Sequence, residues 1–159
     1  MNVLIVTGAI CSGKSTYIAS IAGDDTLVLE LDKIGHEVLR ESRGDIDRAA
    51  LADIVFEDRA ALVRLEAELH PRIMARVRKA VEAFTELAGF AEMHDARIII
   101  EAPYTSSGPF DIAKYPWLAD AQIHTCEASY DERLRRALER GMTQVDFERR
   151  DRVQGQGTV

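Results

Sequence analysis

The stretch Gly8-Ala9-Ile10-Cys11-Ser12-Gly13-Lys14-Ser15-Thr16 constrains this chain more than any other. It fits G-x-x-x-x-G-K-[ST], the pattern of a phosphate-binding loop. Its flanks supply the context such a loop requires. Val3-Leu4-Ile5-Val6 is an unbroken apolar run, as expected of a parallel strand buried on both faces. Thr16 to Ala22 reads as a helix stopped by Gly23. Strand, glycine loop and helix in that order predict an α/β chain built on a parallel sheet.

The residue types suit the task. A polyanionic phosphate tail is held by backbone N–H groups if the chain can turn tightly, and Gly8 and Gly13 permit that turn around Ala9, Ile10, Cys11 and Ser12. The positive N-terminal end of the following helix adds to the field. Lys14 supplies a point charge for the β- and γ-phosphates, and the Ser15 hydroxyl suits Mg²⁺. The loop thus predicts a nucleotide polyphosphate held with Mg²⁺. Cys11 and Ser12 read as loop backbone, since the motif leaves their side chains free. The alternative is an ordinary glycine-rich strand–helix turn.

At 159 residues the chain is read as a single domain, 1–159, with room for a real core. A formal charge of −7 argues against nucleic acid as a partner, because neutralising phosphates needs a basic surface. Two cysteines, Cys11 and Cys126, make no disulfide framework, so a reduced, cytoplasmic setting is expected. No apolar run approaches membrane-spanning length, and the first strand enters the glycine loop too soon for a signal peptide. The oligomeric state is left open. Lysine is confined to positions 14, 33, 79 and 114, while seven arginines lie between Arg133 and Arg152. They read either as a bias in composition or as forked guanidinium groups gathered to meet phosphates.

Thr26 to Leu31 predicts a second buried strand ending at Asp32, followed by a short helix over 33–39. Ligands of parallel α/β sheets bind at the carboxyl ends of the strands, which puts Asp32 on the same edge as the glycine loop. An N-cap for the following helix is the competing reading of Asp32. From Asp45 to Gly89 the pattern is helical, a helical insertion over 45–89 read as three helices: one with Ile46, Ile54 and Val55, one with Leu62, Leu65 and Leu69, and a third begun by Pro71. Such an insertion covers an acceptor substrate or merely packs on the sheet. Arg97 to Pro103 is the third strand, Tyr104 to Pro116 a loop, and Ala121 to Cys126 a weaker fourth strand. Ser129 to Arg140 reads as a helix with Leu134, Ala137 and Leu138 as its apolar stripe and Arg133, Arg136 and Arg140 on an adjacent face. Thr143 can cap a last helix reaching Gln154.

In order along the chain, Gly8 to Thr16, Leu31-Asp32-Lys33-Ile34-Gly35-His36-Glu37-Val38, Gly44-Asp45-Ile46-Asp47-Arg48, Ile54-Val55-Phe56, Leu65-Glu66, Leu69-His70-Pro71-Arg72-Ile73, Glu101-Ala102-Pro103, and Arg136 and Arg140 with the helix to Gln154 resemble the dephospho-CoA kinase family. The resemblance runs over nearly the whole chain. It implies a P-loop NTPase fold of three layers, α/β/α, with a mostly parallel sheet, a helical substrate region, and an arginine-bearing lid over 129–154. It implies transfer of the ATP γ-phosphoryl to the ribose 3′-hydroxyl of dephospho-CoA, a nucleotide-like small molecule. Asp32 falls on the acidic position that accepts the hydroxyl proton. Lys14 and Ser15 match the phosphate and Mg²⁺ positions, and Arg140 and Arg136 match lid arginines. Asp32, His36, His70, Arg72, Pro103 and Tyr104 form the expected substrate side. The residues on their own leave His70 open to a packing or helix-terminus role, and the arginines open to i,i+4 pairing such as Glu132–Arg136.

The sequence also departs from the family pattern. Glu30-Leu31-Asp32 stands where Asp-x-Asp is usual, and Tyr104-Thr105-Ser106-Ser107 replaces leucines followed by Glu. After Gln154 a further strand and helix are usual. Without them a core of about four strands is expected, with an adenine pocket incomplete or built otherwise, as in a shortened or phage-like relative. Two other readings share the motifs: a nucleoside or deoxynucleoside monophosphate kinase, and a regulatory protein that binds nucleotide without transferring phosphate.

Overall fold

A computed structural model describes residues 2–44, 58–103 and 111–155. The expected helix over Ile46 to Val55, Tyr104 and the polar stretch after it lie outside the described residues. The centre is a parallel sheet of four strands in the order β2-β3-β1-β4. They are β1 (Asn2–Gly8), β2 (Thr26–Glu30), β3 (Arg97–Pro103) and β4 (Gln122–Thr125). β1 lies between β3 and β4, with Ile5 opposite Ile100 and Ile123.

Side-chain alternation divides the core into two faces. Ile5, Ile98, Ile100 and Ala102 point one way and pack with Leu31, Met74, Val77 and Leu118. Val6 and Ile99 point the other way and meet Ile18 of α1 (Lys14–Ile21). Both faces are apolar because helices cover both, which is why the strands read as continuous runs. The structure therefore has the expected three layers.

The segment after β2 differs from expectation. Leu31 is already helical: α2 spans Leu31–Arg43, with Glu30 at its N-cap and Asp32 inside its first turn. The capping alternative for Asp32 therefore fails, and α2 is longer than the short helix expected. Gly35 lets α2 approach its neighbour closely, since a Cβ there would meet Ile73 Cδ1 at 3.3 Å.

That neighbour, α3, is one helix, Arg59–Phe90, with Pro71 in its interior. Pro71 was expected to start a helix. Instead Leu65, Leu69, Ile73, Val77, Val81, Phe84 and Ala88 keep a single stripe at spacings of three and four through the proline. Packing of that stripe offsets the roughly 3 kcal/mol that an interior proline costs. Asp58 caps α3 by accepting from Ala61 N–H at 3.1 Å.

Two short 3₁₀ turns, Ile112–Lys114 and Pro116–Leu118, occupy part of the expected loop before β4. Then come α4 (Tyr130–Glu139), capped by Ser129 as expected, and α5 (Gln144–Gly155), where Thr143 Oγ1 accepts from Asp146 N–H. Leu138 was placed on the apolar stripe of α4 but is about half exposed, while Ala137 is fully buried. No helix among the described residues is long and apolar enough to cross a membrane.

Candidate active site

The glycine loop folds as its motif predicts. Gly8 (φ 150°), Cys11 (φ 58°) and Gly13 (φ 100°) turn the backbone between β1 and α1. A Cβ at position 8 would lie 2.5 Å from both Cys126 O and Ser12 Oγ, and the backbone there is in a region L-residues avoid. Gly8→Ala should lower stability by about 2–4 kcal/mol and weaken nucleotide binding at least about tenfold, read from denaturant midpoint and ATP titration. Unchanged stability would mean the loop is not held in this shape.

Lys14 Nζ donates to Gly8 O at 2.9 Å and Ala9 O at 3.3 Å, so the loop carbonyls hold the ammonium at its mouth. Burial lowers its pKa, and the nearby carboxylates of Glu101 and Asp32 oppose that shift. Ser15 and Thr16 are exposed in the first turn of α1, while the Thr7 and Ser12 hydroxyls are buried with no hydrogen-bond partner among the described residues.

The outer side of the loop is clamped by α4 and α5. Cys11 packs with Ala137 and Phe147. Arg136 Nη1 donates to Cys11 O at 3.2 Å, Arg133 Nη1 donates to Ile10 O at 3.4 Å, and Ile10 N–H donates to Gln154 Oε1 at 2.7 Å. These contacts offset the strain of a non-glycine residue at positive φ. Arg133 pairs with Asp151 across α4 and α5, and Arg136 pairs with Glu132 at 2.6 Å. The pairing expected as an alternative for Arg136 is thus present, alongside its contact with the loop. The Arg140 guanidinium makes no hydrogen bond or ion pair among the described residues, and Arg140 lines, with Arg136, Ser12, Gly13 and Thr16, a cleft of about 550 Å³ beside the loop. One wall of that cleft is the stacked pair Tyr17–His124, with ring centroids 3.9 Å apart.

On the other side of Lys14 the carboxyl ends of β2 and β3 gather acids. Asp32 is exposed in the first turn of α2. Burial raises the Glu101 carboxyl above its ordinary range; the Lys14 charge opposes this, and Glu30 and Asp32 reinforce it. Glu101 follows the run Ile98-Ile99-Ile100 on the strand next to β1, where it pairs with Val6, two residues before the glycine loop. It was not among the expected site residues. The signal available was an apolar strand terminating in a carboxylate on the sheet's carboxyl edge.

Beyond Asp32 a second cleft of about 240 Å³ opens between α2 and α3. Leu31, Leu39, Leu65, Leu69 and Ile73 make it largely apolar. Asp32, His36, His70 and Pro103 also line it, so four of the expected substrate-side residues are brought together. Arg72 is elsewhere: it is exposed and donates to Ser42 Oγ at 2.6 Å, tying α3 to α2. His70 lies mid-helix, which removes the helix-terminus reading, and its Nδ1 lies 2.6 Å from the Tyr115 hydroxyl.

A family model described as dephospho-CoA kinase matches residues 31–157. The chain belongs to the dephospho-CoA kinase family. It is 28% identical to the dephospho-CoA kinase of Moorella thermoacetica over all of this chain and 79% of that protein. It is 30% identical to that of Aquifex aeolicus over 91% of this chain and 76% of the relative. Among solved structures it is similar to TT1252 from Thermus thermophilus, with a TM-score of 0.68, 25% identity, and coverage of 96% of this chain and 80% of the other. The Campylobacter jejuni dephospho-CoA kinase shares the fold, with a TM-score of 0.51, 19% identity, and coverage of 87% and 94%. The dephospho-CoA kinase family and the P-loop architecture together make this chain a P-loop kinase.

Proposed function

We propose that the chain moves the γ-phosphoryl of ATP to the ribose 3′-hydroxyl of dephospho-CoA. The observation that carries this reading is the order of parts along the sheet edge: glycine loop and Lys14, then Asp32, then the apolar cleft between α2 and α3. Phosphoryl transfer is mostly positioning and charge neutralisation, and that order suits a donor on one side of Asp32 and an acceptor on the other.

In this reading the amides of residues 9–16 and the N-terminus of α1 hold the β- and γ-phosphates, and Lys14 leaves the loop carbonyls for phosphate oxygens. The Ser15 hydroxyl is a hard oxygen donor that suits Mg²⁺, and the Glu101 carboxylate at the carboxyl end of the neighbouring strand is a second one. Bound there, the ion would neutralise charge on the β- and γ-phosphates. Asp32 orients the 3′-hydroxyl and takes its proton as the new P–O bond forms and the bond to the β-phosphate oxygen breaks, releasing ADP. Arg136 and Arg140 meet the phosphates from α4. Residues 58–90 cover the acceptor, and residues 129–154 act as the lid side of one kinase unit. The reaction belongs in a reduced cytoplasm, where Cys11 and Cys126 stay free thiols.

A coupled ADP-release assay over dephospho-CoA and the nucleoside and deoxynucleoside monophosphates tests this. Turnover is expected with dephospho-CoA alone. Turnover with a monophosphate alone would replace the acceptor, and ATP binding without turnover on any acceptor would make the chain a nucleotide-binding regulator.

A further inference from the structure

His70 is half-buried in the wall of the acceptor cleft, and one ring nitrogen, Nδ1, is engaged by Tyr115 at 2.6 Å. Nothing among the described residues accepts from the other nitrogen, Nε2. His70 lines the cleft, so an N–H on that second nitrogen lies in the wall that a ligand seated there would meet.

We propose that Tyr115 is a positioning residue for the acceptor: its phenol O–H donates to His70 Nδ1, fixes the imidazole as the Nε2–H tautomer, and aims that N–H at an amide carbonyl of the acceptor's arm. The assignment rests on the acceptor reading above and adds the residue that sets its hydrogen-bonding polarity.

The direction of the bond follows from chemistry. An imidazole nitrogen is a far better acceptor than a phenol oxygen, and Tyr115 can donate only while protonated. Burial, with Asp111 nearby, raises the phenol above its ordinary range. Burial also lowers His70, as does Lys114 on the preceding 3₁₀ turn, while Glu66 on α3 opposes them; Asp32 and His36 of α2 face the same cleft. A lowered histidine pKa disfavours protonation in the folded state, so this neutral arrangement is complete above the unfolded value of 6.5 and is lost as pH falls through the folded value. A neutral donor in an apolar wall suits an uncharged carbonyl better than a phosphate, which would ask for a cation.

The ring is held apart from its hydroxyl. Tyr115 packs on the core with Trp117 at an edge-on 6.5 Å, so Tyr115→Phe keeps this packing and removes the donor to His70.

The test has two arms on the full chain. Side-chain ¹⁵N NMR without substrates should show His70 protonated at Nε2 in the wild type and as a tautomer mixture with a higher pKa in Tyr115→Phe. A wild-type Nδ1–H tautomer would overturn the proposal whatever the acceptor is. In steady-state assays, Tyr115→Phe should raise KM for dephospho-CoA about threefold to tenfold, the size of one lost hydrogen bond, with kcat and the KM for ATP unchanged. Inhibition by pantetheine, the arm alone, should weaken by the same factor, while inhibition by AMP should not. His70→Gln, which keeps an N–H near the Nε2 position, should retain most acceptor affinity, and His70→Asn should not. Equal loss against pantetheine and AMP, or no change in either, would overturn the assignment. A wild type inactive on dephospho-CoA would sink the acceptor reading, while the NMR arm would still judge the tautomer.

Discussion

Asp32→Asn should lower kcat on dephospho-CoA by about 10²–10⁴-fold and leave ATP affinity within about twofold, as removal of a general base without change of shape does. The argument rests on placement. Asp32 sits in the first turn of α2, at the carboxyl edge of the sheet, where its charge reaches Lys14 on one side and it lines the cleft between α2 and α3 on the other. It is exposed and carries no helix-capping duty, so the amide costs the fold little. A loss of ATP binding instead would mean that Asp32 serves the phosphates or their metal rather than the hydroxyl. Full activity would remove it from the chemistry. Single-turnover rates beside ATP titrations separate these outcomes.

Arg140→Ala should cost about 10³-fold or more in kcat, the scale of an arginine supplied in cis to a transferring phosphoryl group. Its neighbours are committed elsewhere: Arg133 to Asp151, Arg135 to Glu139 at 2.6 Å, and Arg136 to Glu132 and the Cys11 carbonyl. Arg140 alone of these four keeps its guanidinium unengaged among the described residues, beside the loop. Arg135→Ala, which breaks only an exposed i,i+4 pair, should change kcat by less than about twofold and serves as the control. Arg136→Ala should reduce both rate and stability, because it anchors α4 to the strained loop. Equal kcat for Arg140→Ala and Arg135→Ala would remove Arg140 from the phosphoryl site.

Local signals carried the sheet and the phosphate end of the site. A glycine loop between an apolar run and a helix has few other solutions, and Asp32 follows from where parallel strands end. Pro71 misled because a local helix-breaking preference lost to a long stripe whose packing depends on α2, an element distant in sequence. Glu101 was visible as a strand terminus, but its weight comes from Lys14, across the neighbouring strand. The Tyr115–His70 bond spans 45 residues and no periodicity encodes it. The same holds for Phe147 and Gln154, which reach the glycine loop from the end of the described chain. The arginine run of 133–152 left composition bias, i,i+4 pairing and phosphate contact all open in the sequence; in the structure ion pairs engage Arg133, Arg135 and Arg136 and leave the neighbouring Arg140 guanidinium unpaired among the described residues.

The most direct test is to let the protein react ATP with dephospho-CoA and determine by ³¹P NMR where the new phosphate sits, with Asp32→Asn alongside. A new monoester on the ribose 3′-oxygen, formed by the wild type and nearly absent with Asp32→Asn, is the predicted result. A phosphate at any other position, or no phosphorylated product while ATP still binds, would contradict it.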